Sequence, residues 1–178
     1  MTAKGGTKGP AEELELSSSP SPMDGYVFLS PEWIREVLRL VQCARRSNES
    51  FRRLATGFTL KVAYVIEDLP RELRGYYNGS EKAVVFVQLE KGTVRRFQIS
   101  PEMPADAPDF TIFSNYKTAK RIFQGELTPG SSFIERLVRV EPLSKVYRKP
   151  KFAARSIVAG NLILKFARKA RTVFVPEW

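Results

Sequence analysis

Apolar residues recur at two different spacings along this chain, and the change between the spacings constrains the fold more than any other feature. Between residues 58 and 114 they alternate with polar residues in runs bounded by Gly or Pro, which is typical of β-strands. On both sides of that region they recur every three or four residues, as in amphipathic helices. A block of strands between helices predicts an α+β domain, with an antiparallel sheet of four or five strands covered by helices on one face.

The strand predictions cover residues 58–66, 82–90, 93–100 and 109–114. Lys91-Gly92 separates the second strand from the third, and so short a connection predicts a β-hairpin. Three prolines between residues 101 and 108 predict a loop before the fourth strand.

Polar residues that favour helix N-caps mark the predicted helix starts, at Ser30, Asn48, Asn115 and Thr128. The first helix should extend to about Arg46, and Gly125 should end the helix over residues 116–124. The last and longest helix is predicted over residues 151–171. Cys43 lies beside apolar positions of the first helix, so we expect it to be buried as a small hydrophobic residue.

Residues 1–25 have few bulky apolar groups and are rich in Gly, Ser, Pro and Glu. Such a segment buries too little surface to offset the entropy of ordering, so we predict a disordered N-terminal tail followed by one domain over residues 26–178. No segment approaches the roughly 20 apolar residues of a membrane span. Together with a single cysteine, this predicts a cytoplasmic protein.

The composition excludes much catalytic chemistry. The chain has no histidine and one cysteine, so Ser-His-Asp and Cys-His catalytic sets, His-ligated metal sites and Cys clusters are ruled out. No phosphate-binding glycine motif follows a strand. An enzyme would need Asp, Glu, Lys or Tyr as its acid or base, and after the fourth predicted strand Glu126 and Glu135 are the only acidic residues before Glu141. We therefore predict no catalytic residue, no metal and no cofactor.

The positive charge of the chain is concentrated in its last third. Residues 1–116 contain 15 basic and 15 acidic residues, whereas residues 117–171 contain 14 basic and 3 acidic residues. This asymmetry favours a polyanionic partner, either nucleic acid, an anionic membrane surface or an acidic protein. A solvated basic helix face is the simpler alternative.

Four short motifs resemble prokaryotic members of the sterol carrier protein type 2 family. They are Phe28-Leu29-Ser30-Pro31-Glu32-Trp33, the run from Phe51 to Phe58, Ala107-Pro108-Asp109-Phe110-Thr111-Ile112, and Phe123-Gln124-Gly125-Glu126-Leu127-Thr128-Pro129. The resemblance covers roughly residues 28–170. It implies a sheet of about five strands and helices that enclose an apolar tunnel, and non-catalytic binding or transport of a lipid or fatty acyl ligand.

In such a tunnel we expect the ligand to contact apolar residues of the second half of the chain: Phe123, Phe133, Ile134, Leu137, Ile157, Leu164 and Phe166. Basic residues of the last helix would attract an anionic membrane surface or an acidic head group: Lys149, Lys151, Arg155, Lys165, Arg168 and Lys169. The chain departs from the family pattern over residues 134–142, where a fifth strand would cover residues 137–141.

Three alternatives stay open from the sequence. Periodicity cannot distinguish a hollow interior from a filled core. The basic segment also fits a nucleic-acid-binding protein, although no aromatic pair typical of RNA-binding sheets is present. The domain could also serve as an accessory part of a larger lipid-metabolising complex.

Overall fold

The computed structural model describes residues 25–176, apart from the side chains of residues 54 and 55. In chain order the elements are β1 (Tyr26–Val27), α1 (Pro31–Ser47), α2 (Glu49–Ala55), β2 (Leu60–Glu67), α3 (Arg71–Arg74), β3 (Ala83–Glu90), β4 (Thr93–Ser100), β5 (Phe110–Asn115), α4 (Tyr116–Gln124), α5 (Pro129–Ile134), β6 (Arg139–Glu141), α6 (Leu143–Arg148), α7 (Pro150–Ala167) and β7 (Thr172–Val173). The predicted disordered tail lies outside the described residues, except for Gly25.

The predicted N-caps are confirmed. The Ser30 side chain accepts a hydrogen bond from the backbone N–H of Trp33, and Asn48 and Asn115 cap α2 and α4 in the same way. Thr128 forms a reciprocal capping box with Ser131 at the start of α5. Each cap satisfies a backbone donor that the helix itself leaves unpaired, which is why these local signals define helix starts reliably.

The predicted α+β class and five-stranded sheet are confirmed, but the sheet is mixed and not antiparallel throughout. Its strand order is β4-β3-β2-β5-β6, and β5 pairs with β2 in parallel. The hairpin of β3 and β4 occupies one edge of β2, so β5 takes the other edge. Because β4 and β5 run in the same direction, the loop over residues 101–109 must return along the length of the sheet.

This loop crosses the face of the sheet opposite the helices. Asp106 in the loop forms ion pairs with Arg96 of β4, at 2.6 Å, and Lys61 of β2, at 3.9 Å. The same face buries the small apolar cluster that contains Val65 and Phe86. One face of the sheet is therefore covered by helices, and this loop crosses the other.

The segment after α7, which contains β7, packs on the helical side of the domain. β7 pairs with β1 in parallel, and the indole N–H of Trp33 donates to the Thr172 hydroxyl at 3.0 Å. Helix α7 ends at Ala167, four residues before the predicted end, and the chain then turns into β7. None of the helices within residues 25–176 is long and apolar enough to span a bilayer.

The burial predicted for Cys43 is wrong, because its side chain is exposed. The buried residues of α1 include Val37, Val41 and Ala44. Cys43 lies four residues after Arg39, on the face that carries the Arg39–Glu36 ion pair. A residue that lies next to buried residues in sequence can therefore face solvent, because successive residues of a helix point in different directions.

Candidate ligand-binding cavity

An apolar cavity of about 280 Å³ lies between the sheet and the helices. Its walls come from one face of the five-stranded sheet and from α1, α4, α5, α6 and α7. Along β2 the wall extends from Leu60 to Ile66, which corresponds to about 20 Å of strand at about 3.3 Å per residue. The interior is therefore elongated along the strands and is not a completely filled core.

Strand geometry explains the sheet side of this wall. Successive side chains of a strand point to opposite faces, so Leu60, Val62, Tyr64 and Ile66 all face the cavity. Val85 lies opposite Tyr64 on β3 and continues the same wall.

Helix α7 forms the opposite wall, with side chains at helical spacing. Ala153, Gly160 and Ala167 recur every seventh residue, and all three line the cavity. Ile157 and Leu164 stand between them on the same face. A Cβ atom built on Gly160 would meet no atom within 4 Å, so open space lies directly beside the helix backbone.

The cavity is neutral as well as apolar. No charged side chain of the described residues lines it, and Tyr64 and Ser156 supply its only side-chain hydroxyls there. The Tyr64 hydroxyl lies 2.7 Å from that of Ser114, and Ser156 donates to the backbone oxygen of Phe152. Burial raises the pKa of Tyr64 to about 12, and the hydrogen bond with Ser114 opposes that rise. The hydroxyl therefore stays protonated at neutral pH.

Four of the seven residues predicted to contact a ligand lie in the wall: Phe123, Phe133, Ile157 and Leu164. Phe123 is buried, with its ring centroid 5.1 Å from those of Phe28 and Trp33. Phe133 and Ile157 line the cavity yet are 38% and 47% exposed to solvent. We therefore place the opening of the cavity between α5 and α7; a tunnel with a second opening stays a prediction.

The other three predicted residues do not line the cavity. Ile134 is 80% exposed, because it follows Phe133 directly and points outward from α5. Leu137 packs against the cluster that contains Leu127 and Val138. Phe166 contacts Phe51 at a ring distance of 5.8 Å, on a side of α7 away from the cavity. Ligand contact by any of the seven stays a prediction.

Sequence reasoning missed the sheet side of the wall, including Val62, Tyr64, Val85 and Ile112. The period-two alternation of β2 was the available signal for Val62 and Tyr64, because it places them on the face that carries Leu60 and Ile66. Val85 and Ile112 lie on that face because they pair with Tyr64 from β3 and β5.

The six basic residues predicted to attract an anionic surface divide into two groups. Arg168 donates to backbone oxygens of α4, and Arg155 donates to the backbone oxygen of Thr56 at 2.9 Å. The Lys169 ammonium stands 5.1 Å from the ring centroid of Phe166. The remaining three, Lys149, Lys151 and Lys165, are exposed and form no ion pair with the residues that the structure describes.

Comparison with known proteins identifies the fold. No model of a protein family matches the chain, and no curated protein does. A solution structure of a conserved hypothetical protein from Thermus thermophilus, whose assignment as a sterol carrier protein is provisional, matches with a TM-score of 0.60 and 18% identity over 84% of this chain and 93% of that one. A crystal structure of sterol carrier protein 2 matches with a TM-score of 0.57 and 19% identity over 79% of this chain and 97% of that one. The chain has a sterol carrier protein 2-like fold, as the sequence motifs predicted.

Proposed function

We propose that the protein binds one lipid or acyl-chain ligand in the apolar cavity and carries it without chemical change. The observation that supports this most directly is an apolar cavity whose wall reaches solvent at Phe133 and Ile157. Transfer of hydrocarbon from water into such a space is favourable by about 25 cal/mol per Å² of buried apolar surface, less the cost of ordering the ligand.

The fold supports the same proposal. Both structures compared above carry sterol carrier protein descriptions, and the present chain spans more than nine-tenths of each. The cavity adds evidence from this chain itself, because its walls are built from the chain's own strands and helices.

The chemistry of the wall favours a carrier over an enzyme. General acid–base catalysis needs a titratable group with a pKa near the working pH within hydrogen-bond reach of the substrate. Among the described residues of the wall, Tyr64 is the titratable side chain. Its pKa of about 12 is too high for it to act as a general acid or a general base near neutral pH. A ligand placed here would meet hydrocarbon and two paired hydroxyl groups.

An anionic membrane surface is the partner that we propose for the basic helix α7. Lys149, Lys151 and Lys165 are exposed, and the ligand that the cavity suits would come from lipid. Nucleic acid fits less well, because helices cover one face of the sheet and, on the other, the ring of Phe86 is buried beneath the Arg96 guanidinium and is not free to stack a base.

Ligand binding is tested by displacement of a fluorescent fatty acid. Because the ligand is proposed to occupy the apolar cavity, we expect one saturable site from which unlabelled fatty acid displaces the fluorescent one. Native mass spectrometry of protein purified from cells would identify a lipid that copurifies with it. Absence of binding by the fluorescent fatty acid at micromolar protein, together with no bound lipid in the mass spectrum, would contradict the proposed function.

A further inference from the structure

Large apolar side chains that remain exposed are concentrated in one part of the chain. Six of the nine in the described residues fall between positions 133 and 158: Phe133, Ile134, Leu143, Tyr147, Ile157 and Val158. Exposed apolar groups that lie together mark interaction surfaces more often than single ones do. This concentration is not explained by ligand binding inside the cavity, because Ile134 and Val158 do not line it.

Phe133 and Ile157 lie at the rim of the cavity opening, and Ile134 and Val158 are the exposed residues next to them on α5 and α7. Phe133 and Ile157 line the cavity and are also exposed, and α5 packs against α7. Ile134 and Val158 follow them directly in sequence and are 80% and 51% exposed. We call these four residues the apolar rim.

Exposed basic residues lie near the apolar rim in the chain. Arg136 lies two residues after Ile134, and Lys151 and Lys165 lie seven residues before and after Val158, so they are exposed on the same face of α7. Of the two acidic residues in this part of the chain, Glu141 is ion-paired with Arg139, which leaves Glu135. An apolar centre bordered by cations is complementary to a bilayer with acidic head groups, which offers hydrocarbon beneath negative charge.

We infer that the cavity opening docks against an anionic lipid bilayer, with the apolar rim entering the boundary between head groups and acyl chains. The inference rests on the proposed function, since this orientation would let a lipid pass between bilayer and cavity without crossing water. In this orientation the apolar rim enters the bilayer, and the face of the sheet opposite the helices stays in water.

Tryptophan fluorescence tests the orientation. In Ile134→Trp, addition of vesicles made of equal parts phosphatidylcholine and phosphatidylglycerol should shift the emission to the blue, and bromine atoms on the acyl chains should quench it. The matched control is Met103→Trp. Met103 is 44% exposed in the loop that crosses the opposite face of the sheet, so its emission should not change. Subtracting the unaltered protein's response removes the signal of its own two tryptophans.

A second variant separates docking from ligand binding. Ile134→Asp should weaken vesicle association about tenfold while leaving fluorescent fatty-acid affinity and melting temperature unchanged, because Ile134 is exposed and outside the cavity wall. Val158→Asp should act in the same direction.

Three results would overturn the docking inference. They are equal quenching of the two tryptophan variants, unchanged vesicle association in both aspartate variants, and preferential binding of duplex DNA that displaces the vesicles. If the unaltered protein binds vesicles but does not bind the fluorescent fatty acid, the proposed function is contradicted and the docking inference is not.

Discussion

Arg168 and Phe123 are joined by a hydrogen bond of 2.6 Å from the guanidinium Nε to the backbone oxygen. A second bond of the same length joins Nη2 of Arg168 to the backbone oxygen of Ile122. Both oxygens lie near the C-terminal end of α4, where helical carbonyl groups lack partners within the helix and carry partial negative charge. Because the Phe123 side chain lines the cavity, this contact links the end of α7 to the part of the wall that α4 forms.

Replacement of Arg168 should therefore destabilise the protein. We expect Arg168→Ala to lower the free energy of unfolding by about 1–3 kcal/mol, since it removes two charge-assisted hydrogen bonds. Lys165→Ala removes a charge from the same helix without such bonds and should change stability by less than about 0.5 kcal/mol. Urea unfolding of both variants measures the difference, and equal stabilities would show that the Arg168 bonds do not contribute.

Gly160 allows the cavity to be filled with little disturbance of the core. Gly160→Ala should raise the free energy of unfolding by about 0.5–1 kcal/mol through helix propensity, because the added Cβ meets no atom within 4 Å. Gly160→Phe should project a ring into the open space and weaken fatty-acid binding while the protein stays folded. Fluorescence titration and thermal unfolding report the two effects, and full binding by a folded Gly160→Phe variant would place the ligand elsewhere.

The exposed lysines at the start of α7 should contribute to membrane attraction. Each basic residue near an anionic bilayer contributes about 1 kcal/mol, so Lys149→Gln/Lys151→Gln should weaken vesicle binding by roughly thirtyfold at low salt. Lys82→Gln/Lys91→Gln has the same net charge but alters residues next to β3, and should retain binding. Co-sedimentation at increasing salt measures both, and equal losses would indicate an effect of net charge alone.

Ionisation of Tyr64 should destabilise the protein in alkali. Its pKa is about 12 in the folded state against about 10 when unfolded, so its contribution to stability is complete below pH 10 and is lost as the pH rises towards 12. The expected loss is roughly 2–3 kcal/mol. Tyr64→Phe cannot ionise, and Ser114 keeps a bond to the backbone oxygen of Asn115. Unfolding of this variant should depend less on pH over that range, and an unchanged dependence would exclude Tyr64 as the cause.

Local signals in the sequence were sufficient for most element boundaries. The helix over residues 116–124 has the predicted start and end, because Asn115 caps it and Gly125 adopts the left-handed conformation that ends it. Strand β4 also matches its prediction, since the short Lys91-Gly92 turn fixes where the hairpin begins. Each of these features depends on residues only a few positions apart.

Contacts between distant segments were not predictable in the same way. Alternation shows that β5 is a strand, but not that it pairs in parallel with β2. A run of basic residues does not show that Arg168 binds the end of α4 while Lys165 faces solvent. The β2–β5 pairing and the Arg168 contact both depend on how segments that are distant in sequence pack together in the folded domain.

The sequence by itself determined the α+β class, the helix caps, the strands and the apolar and basic character of the last helices, because backbone hydrogen bonding and side-chain periodicity act over a few residues. Only the tertiary structure decided that the interior contains an elongated cavity, and that Phe133 lines it whereas Ile134 points outward. The physical reason is packing: whether apolar side chains fill the space between a sheet and its helices depends on the separation of those layers, which no local pattern encodes.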